Sequence, residues 1–162
     1  SNRELCDFIF ILKKYNIKLV IDVRRFPSSR KFPHFNLNLL RRVLKKEGIE
    51  YVWLGYIMGG KKYLKDYEKY KCFRAKAYRS YIVLMNTVEW KKAFTILKKL
   101  AQRKKAVILC AEKIPWRCHR KLISDALLVE GYKVVHIIEA DRTVEHKLTK
   151  CARIVNNKLV YW

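Results

Sequence analysis

The run IKLVIDV, residues 17–23, decides the fold. Apart from Lys18 and Asp22 it consists of Ile, Leu and Val, and such a run is typical of a strand that is buried on both faces of a parallel sheet. Two further runs share this character and predict two more strands, IEYVWLG (49–55) and KAVILC (105–110). A parallel sheet is therefore the expected centre of the protein.

Helical patterns alternate with these strands. In residues 3–15 the apolar positions recur with the 3.6-residue period of an amphipathic helix. A second helix is predicted over 36–48, capped by Asn36 and ended by Gly48. Further helices are predicted over three ranges, 78–86, 88–104 and 115–131, the last with Pro115 in its first turn.

The last part of the chain is predicted to be mostly strand. YKVVHII (132–138) has the composition of another parallel strand, and residues 152–162 predict a hairpin that turns at Asn156–Asn157. The order of elements predicts an α/β protein with an open, mostly parallel sheet, helices on both faces and a C-terminal β-hairpin. No composition shift or repeat interrupts the chain, so residues 1–162 are predicted to form a single domain.

The charge of the chain predicts its class of partner. Lys and Arg total 37 against 14 Asp and Glu, a formal net charge of +23, and such a basic protein attracts polyanions. A thermophile's Lys-rich surface is the alternative, but there Glu normally rises together with Lys. Nucleic acid, DNA or RNA, is therefore the predicted partner. The segment 61–79 fits this prediction, because it is basic and aromatic and would place Tyr63, Tyr67 and Tyr70 on one face of a helix.

Cysteine usage and hydropathy predict the compartment. The five cysteines are odd in number and dispersed, which indicates a reducing environment: Cys6, Cys72, Cys110, Cys118 and Cys151. The sequence has no signal peptide and no apolar run of the roughly 18 residues that a membrane span requires. A cytoplasmic protein without membrane association is expected.

Three loops are expected at one edge of the sheet, because ligands of open α/β sheets bind beyond the carboxyl ends of the strands. The third loop leads into the helix predicted near Pro115, whose N-terminal N–H groups favour phosphate. The side chains predicted to bind phosphate or nucleic acid at this edge are basic: Arg24, Arg25, Arg30, Lys113, Arg117, His119 and Arg120. The aromatic residues predicted to stack on bases are Tyr51, Trp53 and Trp116.

Two carboxylates are the predicted catalytic groups. Asp22 and Glu112 end or follow strands at this edge, so both can face one cleft. Such a pair can activate water and stabilise an oxocarbenium ion during cleavage of a glycosidic bond. The alternative is that each carboxylate pairs with Arg24, Arg25 or Lys113 and only holds the loops in shape.

Cys110 offers a different chemistry. A thiol at a strand end, followed by a helix start, is the arrangement of phosphatases and of rhodanese-type sulfur transferases. The phosphatase spacing places Arg six positions after the cysteine, whereas here Trp116 holds that position and Arg117 follows it. The alternative is a small buried hydrophobe. A metal site of Cys110, Cys118 and His119 would match no common zinc motif, so no metal or other cofactor is predicted.

CAEKIPWRCHRKLISDAL (110–127) resembles the DUF488 domain family, a family of unassigned function. The resemblance extends over most of the chain, through 2–36, 51–60, 73–87 and 145–162. It implies an α/β fold with a parallel sheet and no particular activity. It also implies a first strand of the type Thr-Ile-Gly-His ahead of residues 1–3, and this strand is absent from the sequence.

These observations favour an enzyme that binds nucleic acid in a carboxylate and arginine cleft. The most specific form of this prediction is a hydrolase of the N-glycosylase kind, as in DNA base repair, which would act on a base flipped out of the stack. Two alternatives remain: a thiol enzyme that uses Cys110, either a sulfur transferase or phosphatase-like, and a non-catalytic nucleic-acid-binding module.

Overall fold

The three apolar runs form one parallel sheet in the computed structural model, which describes residues 3–60 and 64–162. The strands are β1 (Leu19–Asp22), β2 (Glu50–Trp53) and β3 (Ala106–Leu109), with β1 in the middle. Every residue of β1 is buried, which explains why its sequence is almost entirely apolar. The predicted fold class, α/β with a parallel sheet flanked by helices and a C-terminal β-hairpin, is confirmed.

Six α-helices lie in the described ranges: α1 (Leu5–Lys14), α2 (Leu37–Lys46), α3 (Gly55–Met58), α4 (Lys76–Met85), α5 (Val88–Arg103) and α6 (Arg120–Val129). Short 3-10 turns precede three of them, at Pro33–Phe35, Tyr67–Lys69 and Pro115–Arg117. No described helix is long and apolar enough to cross a membrane.

The described chain divides into two compact units, and each is made of two segments. Unit 1 comprises Ser1–Gly59 and Lys92–Lys113, and unit 2 comprises Gly60–Lys91 and Ile114–Trp162. In unit 1, the apolar faces of α1 and α2 pack with β1 into one core, in which Phe8 meets Phe35 edge-on at 5.1 Å between ring centroids.

Unit 2 contains two antiparallel hairpins and one disulfide. The hairpins are β4 (Val135–Glu139) with β5 (Arg142–Glu145) and β6 (Ala152–Val155) with β7 (Lys158–Tyr161). The predicted turn at Asn156–Asn157 is confirmed, since both residues have the positive φ that such a turn requires. The disulfide joins Cys72 to Cys151, a pairing that was not predicted from the dispersed cysteines.

Three local predictions are wrong. Residues 132–138 do not join the parallel sheet, because β4 pairs antiparallel with the polar strand β5. The helix predicted from Pro115 begins instead at Arg120, because Cys118 is extended and separates it from the 3-10 turn. Asn36 does precede α2 but does not cap it, since its Oδ1 accepts a hydrogen bond from the backbone N–H of Ser29.

One prediction lies partly outside the described residues. Tyr63 was expected to share a helical face with Tyr67 and Tyr70, and it falls in the undescribed stretch 61–63. Tyr67 begins a 3-10 turn that ends at Lys69, and Tyr70 follows it, so these two residues are not part of an α-helix.

Candidate functional site

Asp22 lies at the carboxyl end of β1, and its carboxylate is fully buried. Arg24 donates from its backbone N–H to Oδ1 at 2.9 Å, from Nε to both oxygens at 3.0 Å, and from Nη2 to Oδ2 at 2.6 Å. Tyr51, on the neighbouring strand β2, donates its hydroxyl to Oδ2 at 2.6 Å. A buried carboxylate with this set of donors is stable because its charge is paired and its oxygens are hydrogen-bonded.

The electrostatics of this cluster hold Tyr51 and Arg24 in their protonated forms. Burial raises the pKa of Tyr51 above its ordinary value, and the charge of Asp22 raises it further, so the phenol remains a donor. Burial opposes the charge of Arg24, but the hydrogen bonds and the charge of Asp22 outweigh it, and the pKa of Arg24 is raised. Asp22 therefore holds the loop after β1, the role that the sequence left open as its alternative. Its catalytic role stays a prediction.

Close packing joins this loop to α3, which follows β2. The indole Nε1 of Trp53 donates to the carbonyl oxygen of Arg24 at 2.8 Å. A Cβ at Gly55 would lie 1.8 Å from the same oxygen, and one at Gly59 would lie 2.6 Å from Cα of Arg25. Since no side chain fits at either glycine, the backbones of the two loops can approach closely at the carboxyl edge of the sheet.

Exposed aromatic rings surround this edge. Phe26 is 75% exposed and Tyr56 is 59% exposed, and the ring of Trp53 lies 5.7 Å from that of Tyr56. We call Phe26, Trp53 and Tyr56 the aromatic rim. Trp53 was predicted to stack on bases, whereas Phe26 and Tyr56 were missed. Their position directly after β1 and β2 was the signal that could have identified them.

Arg25 lies beside the aromatic rim. Its guanidinium carbon is 5.4 Å from the centroid of the Phe26 ring. Its Nη1 is buried, and it has no hydrogen-bond partner among the residues that the structure describes. A buried guanidinium N–H group without an acceptor is costly, so this atom is suited to an anionic oxygen from a ligand.

The other predicted residues of unit 1 differ in exposure. Tyr51 and Cys110 are both buried, and the base-stacking role of Tyr51 and the nucleophile role of Cys110 stay predictions. Arg30 and Glu112 are exposed and Lys113 is partly exposed.

The remaining predicted residues belong to unit 2. Trp116 is 49% exposed, and Arg117 beside it is also exposed in the 3-10 turn that precedes α6. The ring of His119 lies 4.9 Å from that of Tyr81, and its Nδ1 is 3.7 Å from Sγ of Cys118. Arg120 is the first residue of α6 and is partly buried.

Comparison with known proteins identifies one family. The model of the DUF488 family, a domain of unknown function, matches residues 4–127, a range that contains all three strands of the parallel sheet and the aromatic rim. No curated protein and no solved structure matches the chain.

Proposed function

Since this chain belongs to the DUF488 family, a domain of unknown function, its activity has to be argued from its own geometry, and we propose that it binds nucleic acid at the carboxyl edge of unit 1. The observation that carries this proposal is the buried Nη1 of Arg25, which has no acceptor among the described residues and lies beside the exposed ring of Phe26. A phosphate oxygen supplies the missing acceptor through a charge-assisted hydrogen bond.

The aromatic rim supports a nucleic-acid ligand over a small anion. Phe26 and Tyr56 expose most of their surface to solvent, at 75% and 59%, so their rings are accessible to a ligand. Exposed rings beside a cation are the usual platform for single-stranded nucleic acid, where each stacked base contributes about 1–3 kcal/mol. Bases therefore stack on the rim while Arg25 holds a phosphate.

The charge of unit 1 supports the same ligand. The loop after β1 exposes Arg30 and Lys31, and it is held in shape by bonds among Ser29, Phe32 and Asn36. α2 exposes four further basic side chains, Arg41, Arg42, Lys45 and Lys46. Such a surface follows a phosphate backbone without reading its sequence.

The more specific form of the proposal is hydrolysis of a base from the strand, of the N-glycosylase kind. Glu112 is the exposed member of the predicted carboxylate pair and can meet a substrate from solvent. Asp22 is enclosed by Arg24 and Tyr51, so in this scheme it positions the loop that carries Arg25 and Phe26. Glu112 then takes a proton from the water that attacks the sugar carbon, the bond between that carbon and the base breaks, and the base leaves with the electron pair and takes a proton from solvent.

Fluorescence anisotropy with a labelled single-stranded DNA oligonucleotide tests the binding. Phe26→Ala and Tyr56→Ala are each expected to weaken binding by about 5- to 150-fold, the equivalent of one lost stacking contact. Phe10→Ala is the matched control, because Phe10 on α1 is as exposed as Tyr56, at 59%. Equal affinities for the three variants, or an affinity that does not fall as salt rises, would overturn the proposal.

Hydrolysis is tested separately with oligonucleotides that carry damaged bases. Wild-type protein is expected to release the base, and Glu112→Gln is expected to abolish release while binding is retained. If the wild type binds these strands and releases no base, the protein is a binding module and the hydrolase form of the proposal is wrong.

A further inference from the structure

Unit 2 contains a chain of three titratable side chains that the proposed function does not use. Asp125 on α6 is fully buried, and its Oδ1 lies 2.9 Å from Nε2 of His146. Nδ1 of His146 in turn lies 2.9 Å from Nε2 of His136 on β4. We call Asp125, His146 and His136 the relay.

Both carboxylate oxygens of Asp125 accept hydrogen bonds. Its Oδ1 also accepts the backbone N–H of Thr149 at 3.0 Å, and its Oδ2 accepts the hydroxyl of Tyr161 at 2.8 Å. Burial raises the pKa of Tyr161, and the charge of Asp125 raises it further, so the phenol stays a donor. The backbone N–H and the phenol both present a hydrogen to the carboxylate, so Asp125 is the acceptor in these two contacts.

The acceptor role of Asp125 determines the tautomers of both rings. Because Oδ1 of Asp125 accepts in its contact with His146 as well, Nε2 of His146 carries the hydrogen. Nδ1 of a neutral His146 is then an acceptor, so Nε2 of His136 carries a hydrogen as well. The ring nitrogen that remains available to accept a proton is therefore Nδ1 of His136. This atom has no hydrogen-bond partner among the described residues, and its ring is partly exposed.

The relay can take up one proton from outside and move its charge inward. A proton bound at Nδ1 of His136 releases the Nε2 proton of that ring to Nδ1 of His146. His146 then becomes an imidazolium 2.9 Å from the carboxylate of Asp125, where the opposite charge stabilises it. This order of groups resembles a catalytic base with its orienting carboxylate, extended by one imidazole.

We propose that Nδ1 of His136 is the proton acceptor of a site in unit 2 that cleaves RNA by deprotonating a ribose 2′-hydroxyl group. This inference is independent of the aromatic rim, because it uses other residues in the other unit. It makes His136 the catalytic residue, while His146 and Asp125 are positioning residues.

The charge around His136 favours an anionic substrate. The positive charge of Arg120, on α6, acts on the His136 ring, and Lys147 and Lys150 are exposed in the loop after His146. In RNA the 2′-hydroxyl group lies next to the phosphodiester of the same nucleotide and can attack it as a nucleophile. A general base that takes the proton of this hydroxyl is therefore enough to start cleavage. DNA lacks that hydroxyl and is bound without being cut.

The step balances without any further reagent. His136 takes the proton of the 2′-hydroxyl, and the 2′ oxygen forms a bond to the adjacent phosphorus. The bond between phosphorus and the 5′ oxygen breaks, its electron pair goes to the 5′ oxygen, and that oxygen takes a proton from water. The products are a 2′,3′-cyclic phosphate and a free 5′-hydroxyl, after which the relay returns its proton to water.

The test uses a DNA strand with a single ribonucleotide, incubated with the full chain. Cleavage is expected only after the ribonucleotide, and none is expected when its 2′ oxygen is methylated. His136→Ala is expected to lower the rate about 100-fold or more, the usual contribution of a general base. His34→Ala is the matched control, because His34 lies in unit 1 and contacts the carbonyl oxygen of Arg3. Both variants are purified in parallel, and their folding is checked by circular dichroism.

The positioning role of Asp125 is tested by the pH dependence of the rate. Arg120, Asp125 and His146 act electrostatically on His136, and Tyr161 on β7 donates its hydroxyl to the carboxylate of Asp125. Asp125→Asn is expected to move the inflection of the rate profile to lower pH, because the imidazolium loses its counter-ion. Tyr161→Phe removes a hydrogen bond from the same carboxylate and is expected to lower stability without moving the inflection.

Three results would overturn the inference: no cleavage by the wild type, cleavage of the methylated strand, or equal cleavage by His136→Ala and His34→Ala. If His136→Ala does not fold, the inference is tested with the methylated strand and wild-type protein. Methylation removes the 2′-hydroxyl proton from the substrate and leaves the protein unchanged. Binding at the aromatic rim is measured with DNA, so either proposal can fail while the other holds.

Discussion

Replacing Asp22 with Asn is expected to destabilise unit 1 strongly, because it removes the counter-ion of a buried arginine. Arg24 is 6% exposed, and its Nε and Nη2 donate only to Asp22 in the described hydrogen bonds. Removal of one member of a buried ion pair costs about 3–5 kcal/mol. At about 2–4 °C per kcal/mol for a chain of this size, Tm falls by about 6–20 °C.

Two further variants provide a comparison for the loss of stability expected in Asp22→Asn. Tyr51→Phe removes one charge-assisted hydrogen bond and leaves the ion pair in place, so the expected loss is about 1.5–3 kcal/mol. Arg24→Met combined with Asp22→Asn removes the unpaired cation and is expected to recover part of the stability lost in Asp22→Asn alone.

Urea unfolding at pH 7, followed by circular dichroism, measures all four proteins. A catalytic carboxylate is typically held at some cost in stability, so its replacement leaves stability unchanged or raises it. If Asp22→Asn unfolds within about 1 kcal/mol of the wild type, the structural role argued for Asp22 is wrong and the catalytic role is favoured.

Two other variants test particular contacts. Gly55→Ala is expected to cost about 2 kcal/mol or more, because its Cβ would lie 1.8 Å from the carbonyl oxygen of Arg24. Gly60→Ala is the control, since no heavy atom of the described residues beyond its chain neighbours lies within 4 Å of the added Cβ. Equal Tm values for the two variants would contradict the packing described at the sheet edge. Burial, the neighbouring His146 and the positive charge of Arg120 lower the pKa of His136 from 6.5 to about 4. Below pH 6.5 His136 therefore binds a proton in the unfolded chain and not in the folded protein, so the free energy of unfolding falls with pH. With allowance for solvent screening at this partly exposed ring, about 1–3 kcal/mol is lost as the pH falls to 4. His136→Gln is expected to flatten this part of the unfolding curve against pH, and an unchanged curve would contradict the burial of the ring.

The parallel sheet could be predicted from sequence because burial on both faces leaves an unbroken apolar run, as in residues 17–23. The same reasoning failed for 132–138, which is also rich in β-branched residues. Its partner β5, with the sequence RTVE, is polar and mostly exposed, so composition gave no indication of an antiparallel pair. The start of α6 was predicted too early because proline fits the first position of a 3-10 turn as well as the first turn of an α-helix, and Pro115 begins a 3-10 turn.

The site was predictable in its location and less so in its contacts. Asp22 and Arg24 are two positions apart at a strand end, so an ion pair between them was a reasonable alternative. The contact from Tyr51 depends on the parallel register that pairs it with Val20, and sequence does not give that register. The exposure of Phe26 and Tyr56 depends on how their loops pack, and the relay joins residues 21 and 10 positions apart through tertiary structure.

The strand order of the sheet has a consequence for synthesis on the ribosome. β1 lies between β2 and β3, and β3 ends at Leu109, 87 residues after Asp22 ends β1. At a synthesis rate of about 5–20 residues per second, one edge of β1 keeps its backbone N–H and C=O groups unpaired for about 4–17 s. During that interval the segment 60–91 is also made, so the nascent chain carries an open strand edge before its proper partner exists. A chaperone that covers this edge during translation would therefore raise the yield of folded protein more than one supplied after release.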